Sequence, residues 1–248
     1  MTLFGKEKEA KASTLDVERP SSDGKSVASS YEAVHGAPSG SSKILGVYHT
    51  RSHYSLRVKT VDKSPLYYVD NSTFRIGTPD VTMHVGDEKT GPIKAACKFV
   101  SFSSGSKMCL GDPKDTNAIW EDLTKENTLD HSKYRWEMTI PGHGYGGERK
   151  AFLWKRTHSV GVGDSKPGKL STRNFKLVDE VTGEILAVFA NNGPKSYSKL
   201  GKFEIFPNDY GEDWETLMLL SGLSLIEKER RRARQRSNGG GGGGDGGG

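Results

Sequence analysis

The segment DWETLMLLSGLSLIEKERRRARQR, residues 213–236, constrains the fold more than any other part of the chain. Its first half carries large apolar residues on every side of a helix, at Trp214, Leu217–Leu220, Leu223, Leu225 and Ile226. A helix that is apolar all round must be covered all round, either by lipid or by protein. As a helix, residues 214–226 would rise only about 20 Å, whereas the hydrocarbon layer of a bilayer is about 30 Å thick. We therefore predict a core helix over about residues 213–232, surrounded by protein.

The residues that precede this helix are predicted to form the sheet that surrounds it. Residues 43–206 contain about a dozen short apolar segments, each bounded by clusters of Gly, Pro, Asn, Asp or Ser. Apolar residues take every second position of RWEMTI (135–140), whereas EILAVFA (184–190) is apolar nearly throughout, as in a strand buried on both faces. Such strands with hairpin-length gaps favour one antiparallel barrel or sandwich. The small Ser221 and Gly222 would let the helix pack closely against it.

Both ends of the chain have compositions typical of disorder. Residues 1–42 are rich in Lys, Glu, Ser, Gly and Pro, and residues 237–248 are almost entirely Gly. The hydrophobic content of 33% and mean hydropathy of −0.64 fit one folded domain with disordered ends. We expect a disordered arm over 1–42, a barrel domain over 43–236 and a Gly-rich tail over 237–248.

Cysteine usage and charge bear on compartment and partners. The N-terminus lacks the apolar run of a signal peptide, and Cys97 and Cys109 form neither a disulfide framework nor a zinc quartet. We expect a cytoplasmic protein, with peripheral membrane and nuclear locations as alternatives, and no transmembrane segment. The net charge is +5, and residues 227–236 alone hold six basic and two acidic residues. A nucleic-acid-binding domain would spread heavier positive charge over its folded body, which argues against nucleic acid as the partner.

The order of these elements resembles the tubby C-terminal-like domain superfamily, which includes tubby-like proteins, LURP-one-related proteins and phospholipid scramblases. The resemblance rests on AFLWKRT (151–157), KLVDEVTGEILAVF (176–189) and residues 202–226, and it is nearest to an uncharacterised branch of fungal type. It implies a mainly β fold, a closed antiparallel barrel of about twelve strands around a central C-terminal helix. It also implies that basic side chains on the barrel surface bind anionic phospholipid or phosphoinositide head groups.

Two motifs resemble catalytic or nucleotide-binding motifs, but the structure predicted around them, or a residue within them, does not fit that chemistry. Residues 142–147 fit GxGxxG, but strands are predicted on both sides, whereas a dinucleotide site needs a following helix. Residues 163–170 imitate a phosphate-binding loop but place Leu170 where a hydroxyl must bind Mg²⁺. His49 and His53 are four residues apart at a strand end and turn, so we expect surface histidines and no metal site. We predict that the protein is not an enzyme and needs no cofactor.

Two groups of basic residues are candidates for binding anionic lipid. Lys150, Lys155 and Arg156 lie beside aromatic residues in the predicted strand AFLWKRT, with an ordinary solvated strand face as the alternative. Arg230, Arg231 and Arg232 follow the core helix, and we expect their guanidinium groups to be solvated.

Three readings of the arginine block remain open, namely helix-dipole stabilisation, attraction to anionic lipid, and a nuclear or nucleic-acid signal. The function predicted from the sequence is therefore a non-enzymatic intracellular binding module for anionic phospholipid. The alternatives are a regulatory protein–protein interaction domain and a nuclear factor that uses its basic tail.

Overall fold

The structure is a computed structural model that describes residues 40–72, 77–101, 103–126, 132–142, 146–162, 173–192 and 196–239. The described residues form twelve strands followed by one helix. The strands are β1 (Lys43–His49), β2 (Leu56–Lys59), β3 (Pro65–Asn71), β4 (Val81–Val85), β5 (Ile93–Phe99), β6 (Ser106–Leu110), β7 (Trp120–Lys125), β8 (Lys133–Ile140), β9 (Glu148–Arg156), β10 (Phe175–Asp179), β11 (Ile185–Asn191) and β12 (Lys199–Ile205), and the helix is α1 (Gly211–Gly239). Each strand pairs antiparallel with its neighbours in sequence. Because β1 also pairs with β12, the sheet closes on itself, which confirms the predicted mainly β, closed antiparallel barrel.

Side-chain alternation decides which residues face the inside of the barrel. In β8, Trp136, Met138 and Ile140 are buried, whereas the residues between them are half-buried or exposed. β11 differs because its residues from Leu186 to Ala190 are all buried. A segment after β9 that includes Val160 and Val162 covers the outer face of this strand. The prediction that this strand is buried on both faces is therefore confirmed.

α1 fills the interior of the barrel with its first half. The side chains of Trp214, Leu217, Met218, Leu219, Leu220, Leu223, Leu225 and Ile226 are all at most 2% exposed. Burial of each such side chain contributes about 1.5–3 kcal/mol, so the helix supplies a large share of the core energy. A Cβ added to Gly222 would lie 3.0 Å from the ring of Phe203, and the indole N–H of Trp154 donates a 2.8 Å hydrogen bond to Ser221. The small residues therefore bring the helix close to the wall, as expected.

The helix is longer than the predicted 213–232. It begins at Gly211, so Asp213 lies in its first turn, and it continues through the arginines to Gly239. Within the basic block, Glu227 pairs with Arg230 and Arg231, and Glu229 pairs with Arg232, at spacings of three or four residues. Such pairs stabilise a helix, which explains why helical structure continues through a segment of high charge.

Several sequence predictions fall outside the described residues. They concern most of the N-terminal arm (1–39), the glycine-rich end of the tail (240–248) and the segment that resembles a phosphate-binding loop (163–170). The glycine-rich segment 142–147 does connect two antiparallel strands, β8 and β9, as a hairpin. Its Gly142 and Gly146 have φ angles of 79° and 85°, which glycine adopts without strain.

The up-and-down topology gives the barrel two ends of different composition. The start end contains the first turn of α1 and the loops that follow the even-numbered strands, and the exit end contains the last turns of α1 and the loops that follow the odd-numbered strands β1 to β11. Acidic residues outnumber basic ones among the described loop and helix residues of the start end, where Lys63, Lys89 and Lys114 stand against Asp62, Asp87, Glu88, Asp112, Asp115, Glu180, Glu184, Asp209, Glu212, Asp213 and Glu215. Four of these acids pair with basic strand residues, as Lys43–Glu215, Arg57–Asp87, Lys94–Glu212 and Arg135–Glu180. The basic residues of α1 all lie at the opposite, exit end.

Candidate functional site

The charged half of α1, residues 227–236, lies at the exit end, where Lys228, Arg230 and Arg231 each bind a different surrounding loop. Among the basic side chains that contact a loop, Lys228 is the least exposed, at 7%. Its ammonium group donates to the carbonyl oxygens of Ser104 and Gly105 at 2.5 and 2.7 Å. The loop after β5 is thereby tied to the helix. Burial lowers the pKa of Lys228 to about 8, because the charged amine is largely removed from water.

Arg230 binds the loop after β1. Its guanidinium donates a 2.6 Å hydrogen bond to the carbonyl of His53 and lies 3.5 Å from that of Tyr54. The same guanidinium lies 3.1 Å from the carboxylate of Glu227, which is 1% exposed. Arg230 is itself only 8% exposed, so the expectation that its charge is solvated is wrong. A buried arginine with carbonyl and carboxylate partners is a structural group.

Arg231 and Arg232 are held in the same way, although each side chain remains about one fifth exposed. Arg231 bridges Asp80 at 2.6 Å and Glu227 at 3.1 Å. It also donates to the carbonyl of Ser72, and these contacts fix the loop after β3. The prediction of solvated guanidinium groups is wrong for this residue too, because its donors are committed to the barrel.

Arg232 binds one residue of α1 and one residue of β8. It pairs with Glu229 at 2.9 Å and donates to the phenol oxygen of Tyr134 at 3.2 Å. Glu229 in turn binds Arg156 of β9 at 2.8 Å. Two predicted lipid-binding residues, Arg156 and Arg232, thus share one carboxylate, and these contacts connect α1 to β8 and β9.

The structure separates the remaining predicted residues. Lys150 lies in the first part of β9, near the start end, where its ammonium group is 3.5 Å from the carboxylate of Glu148 and 5.6 Å from the ring centre of Tyr210. Lys155 lies five residues further along the same strand, about 17 Å away at the usual rise per residue. One head group cannot bind both lysines, so Lys150 does not belong to the same site as the exit-end residues.

Lys155 is the centre of a row of lysines that the sequence did not reveal. Lys133 of β8 lies directly opposite it on one side, and Lys176 of β10 lies directly opposite it on the other. All three are half-buried on the outer wall, and the charge of Lys133 also acts on the nearby carboxylate of Glu180. Like charges placed directly opposite on neighbouring strands destabilise a sheet, so this lysine row suits an anionic partner. These lysines become neighbours only through the pairing register of the strands, so their order in the sequence does not reveal the row.

Exposed aromatic residues accompany the positive charge of the exit end. Tyr54, after β1, is 56% exposed, and Tyr197, before β12, is 87% exposed. The ring of Tyr197 lies 5.0 Å from that of His53, and the guanidinium of Arg234 lies 5.6 Å from that of Tyr54. Sequence inspection singled out neither tyrosine, because their exposure depends on the loops around them.

The histidines and cysteines form no metal site within the described parts of the chain. His49 is not the surface histidine that was expected, because it is half-buried at the end of β1. Its burial, together with the charges of Arg230, His53 and Arg173, lowers its pKa to about 4. Cys97 is fully buried and packs as a small core residue. Across the described ranges, no helix combines the length and apolarity needed to cross a bilayer.

Comparison with known proteins gives the fold little further context. The chain is similar to the X-ray structure of a protein from Arabidopsis thaliana at 12% identity, with 76% of this chain and 92% of that chain covered and a TM-score of 0.43. No protein-family model matches the chain, and no curated protein matches it. The tubby-like resemblance therefore stays a prediction.

Proposed function

We propose that the protein is a non-enzymatic binding module of the tubby-like type, and that its exit end recognises anionic phospholipid at a membrane surface. The observation that carries this proposal is the separation of charge along the barrel axis. The start end is predominantly acidic, whereas the exit end carries the basic half of α1 together with Arg51 and Arg173. An anionic surface would attract one end of such a molecule and repel the other, which orients it on contact.

The groups available for such contact differ from those predicted from the sequence. The guanidinium groups of Arg230, Arg231 and Arg232 are already bound within the protein. They therefore contribute to the long-range electrostatic attraction of the membrane more than to direct bonds with lipid. Arg51 and Arg236 are exposed and stand at the rim of the exit end. A basic residue near an anionic membrane contributes about 1 kcal/mol of attraction, and a few such residues suffice for reversible binding.

The exposed tyrosines support the membrane proposal. Tyrosine concentrates at membrane–water interfaces, where its ring contacts the acyl boundary and its hydroxyl remains hydrated. Tyr54 and Tyr197 stand at the basic end, as this arrangement requires. The lysine row of Lys133, Lys155 and Lys176 lies at the exit-end part of the outer wall and would extend the contact.

Vesicle flotation tests the proposal through matched variants. We expect the full chain to float with vesicles that contain phosphatidylserine or phosphoinositide and not with neutral phosphatidylcholine vesicles. Arg51→Gln with Arg236→Gln should weaken vesicle binding roughly five-fold per arginine, the equivalent of about 1 kcal/mol each. The control carries Lys63→Gln with Lys114→Gln, which removes equal charge from exposed start-end residues and should bind normally.

Salt and aromatic variants sharpen the test. Binding should weaken at higher ionic strength, because exposed charges are screened beyond a Debye length of about 8 Å in physiological salt. Tyr197→Ser should weaken it, whereas Val181→Ser, which changes a 91% exposed residue at the start end, should not. Absence of wild-type flotation at low salt would refute lipid binding and leave a protein partner as the function to test. Equal loss in both charge variants would refute the orientation.

A further inference from the structure

A basic cleft of about 340 Å³ lies at the exit end, between the end of β1, Arg173 before β10 and the last turns of α1. Its polar lining among the described residues consists of His49, Arg173, Arg230, Arg234 and Ser237, and none of these described lining residues is acidic. The volume is at the lower end of the range for small-molecule sites. Three guanidinium groups around one cleft are an unusual concentration of like charge.

The positive charges of the cleft lower the pKa values of groups that line it. Burial lowers the pKa of Arg230, and the neighbouring charges of Arg234, Arg173 and Arg231 lower it further, against the opposing effect of Glu227. The pKa of His49 is about 4 for the same reasons, so its ring is neutral at pH 7. The Nδ1 atom of this ring is buried, and none of the described residues forms a hydrogen bond with it. A bound anion would offset these repulsions.

We propose that the cleft binds the phosphate group of a phosphomonoester. Arg234 and His49 are the direct donors, and the hydroxyl of Ser237, which here donates to the carbonyl of Arg234, can rotate to add a third. Arg173 and Arg230 supply positive charge, although Arg230 is already bound to His53 and Glu227. A carboxylate has two oxygens and one charge, whereas a phosphomonoester has three terminal oxygens and up to two charges. The number and type of donors therefore suit the phosphate better.

The phosphate can belong to a soluble molecule or to a lipid head group. The lipid source rests on the proposed membrane function, whereas the soluble source does not. Phosphatidic acid is the simplest lipid phosphomonoester, and phosphatidylserine is an anionic lipid that carries a phosphodiester only. The two lipids distinguish recognition of the phosphate group from general attraction to negative charge.

The first experiment follows the ring of His49 by NMR in the full chain while inorganic phosphate is added at constant ionic strength against sodium chloride. His49→Gln assigns the resonance. We expect a saturable shift, and an increase of the His49 pKa by about one to three units, because a nearby opposite charge stabilises the imidazolium. Arg234→Gln should abolish both effects and Ser237→Ala should weaken them. Arg236→Gln, in the same turn, should retain both. A His49 signal that does not respond to phosphate overturns the proposal.

The second experiment compares vesicles of equal surface charge that contain either phosphatidic acid or phosphatidylserine. Preference for phosphatidic acid that disappears in Arg234→Gln, with phosphatidylserine binding retained, supports the lipid source. A His49 response to inorganic phosphate without this preference supports the soluble source. If vesicles are not bound at all but phosphate shifts His49, the membrane function fails and the cleft assignment stands. Vesicle binding without any His49 response gives the reverse result and refutes the cleft.

Discussion

The substitution Arg231→Ala tests whether the basic half of the helix holds the barrel together. Arg231 forms ion pairs with Asp80 and Glu227 and donates to the carbonyl of Ser72, so it connects the helix to the loop after β3. Its removal leaves the carboxylate of Glu227, which is 1% exposed, with Arg230 as its remaining ion-pair partner among the described residues. Asp80 keeps a backbone hydrogen bond from Phe99 but loses its cation.

The expected loss of stability follows from these contacts. Removal of one partner from a buried ion pair costs about 3–5 kcal/mol. Arg231 is about one fifth exposed and Glu227 retains Arg230, so solvent and the second arginine reduce this cost. We expect Arg231→Ala to lower the free energy of unfolding by about 2–3 kcal/mol, a large fraction of the ~5–15 kcal/mol typical of a domain.

Urea unfolding followed by tryptophan fluorescence measures this loss, because Trp136, Trp154 and Trp214 are at most 1% exposed and report on the core. Arg236→Ala is the matched control and should change the free energy of unfolding by less than about 0.5 kcal/mol, since its side chain is exposed. If Arg231→Ala unfolds at the same urea concentration as Arg236→Ala, the contacts of Arg231 do not stabilise the fold.

Three further substitutions probe the core and the exit end. Leu220→Asp places a charge at a fully buried position, so we expect several kcal/mol of destabilisation and no cooperative thermal transition by circular dichroism. Gly222→Val should lower stability by about 1–3 kcal/mol, because even a Cβ lies 3.0 Å from the ring of Phe203; an unchanged melting temperature would contradict this packing. For Lys228 the pKa is lowered from 10.5 to about 8, so between these pH values the unfolded chain binds a proton that the folded chain does not. Wild type should therefore gain up to roughly 3 kcal/mol over Lys228→Met as pH rises through this window, and a constant difference between the two unfolding curves would show that the amine is solvated.

The central helix was predictable because its evidence is local. Apolar residues on every side of residues 214–226 require full cover, and the segment is too short for a bilayer, so only a protein interior remains. The strand alternation around Trp136 likewise follows from neighbouring residues. These patterns predicted a core helix covered by an antiparallel barrel or sandwich, and the closed barrel of about twelve strands was implied by the tubby-like resemblance.

The roles of the arginines were not predictable, because their partners lie far away in the chain. Asp80 is 151 residues from Arg231, and the carbonyl of His53 is 177 residues from Arg230. A block of arginines looks the same in sequence whether it points into solvent or into a ring of loops. The same limit applies to the lysine row, since Lys133, Lys155 and Lys176 become neighbours only through strand register.

The helix that fills the barrel follows all twelve strands in the sequence, which has a consequence for folding during synthesis. The ribosome synthesises the strands before the core helix. The emerging sheet therefore has no interior to pack against until residues 211–226 have left the ribosome. The pairing of β1 with β12 also joins Lys43 to Ile205, a contact of very long sequence separation, and such contacts slow folding. The nascent strands therefore lack their core until α1 has been synthesised, and general chaperones that shield unpaired strand edges are the helpers they would need.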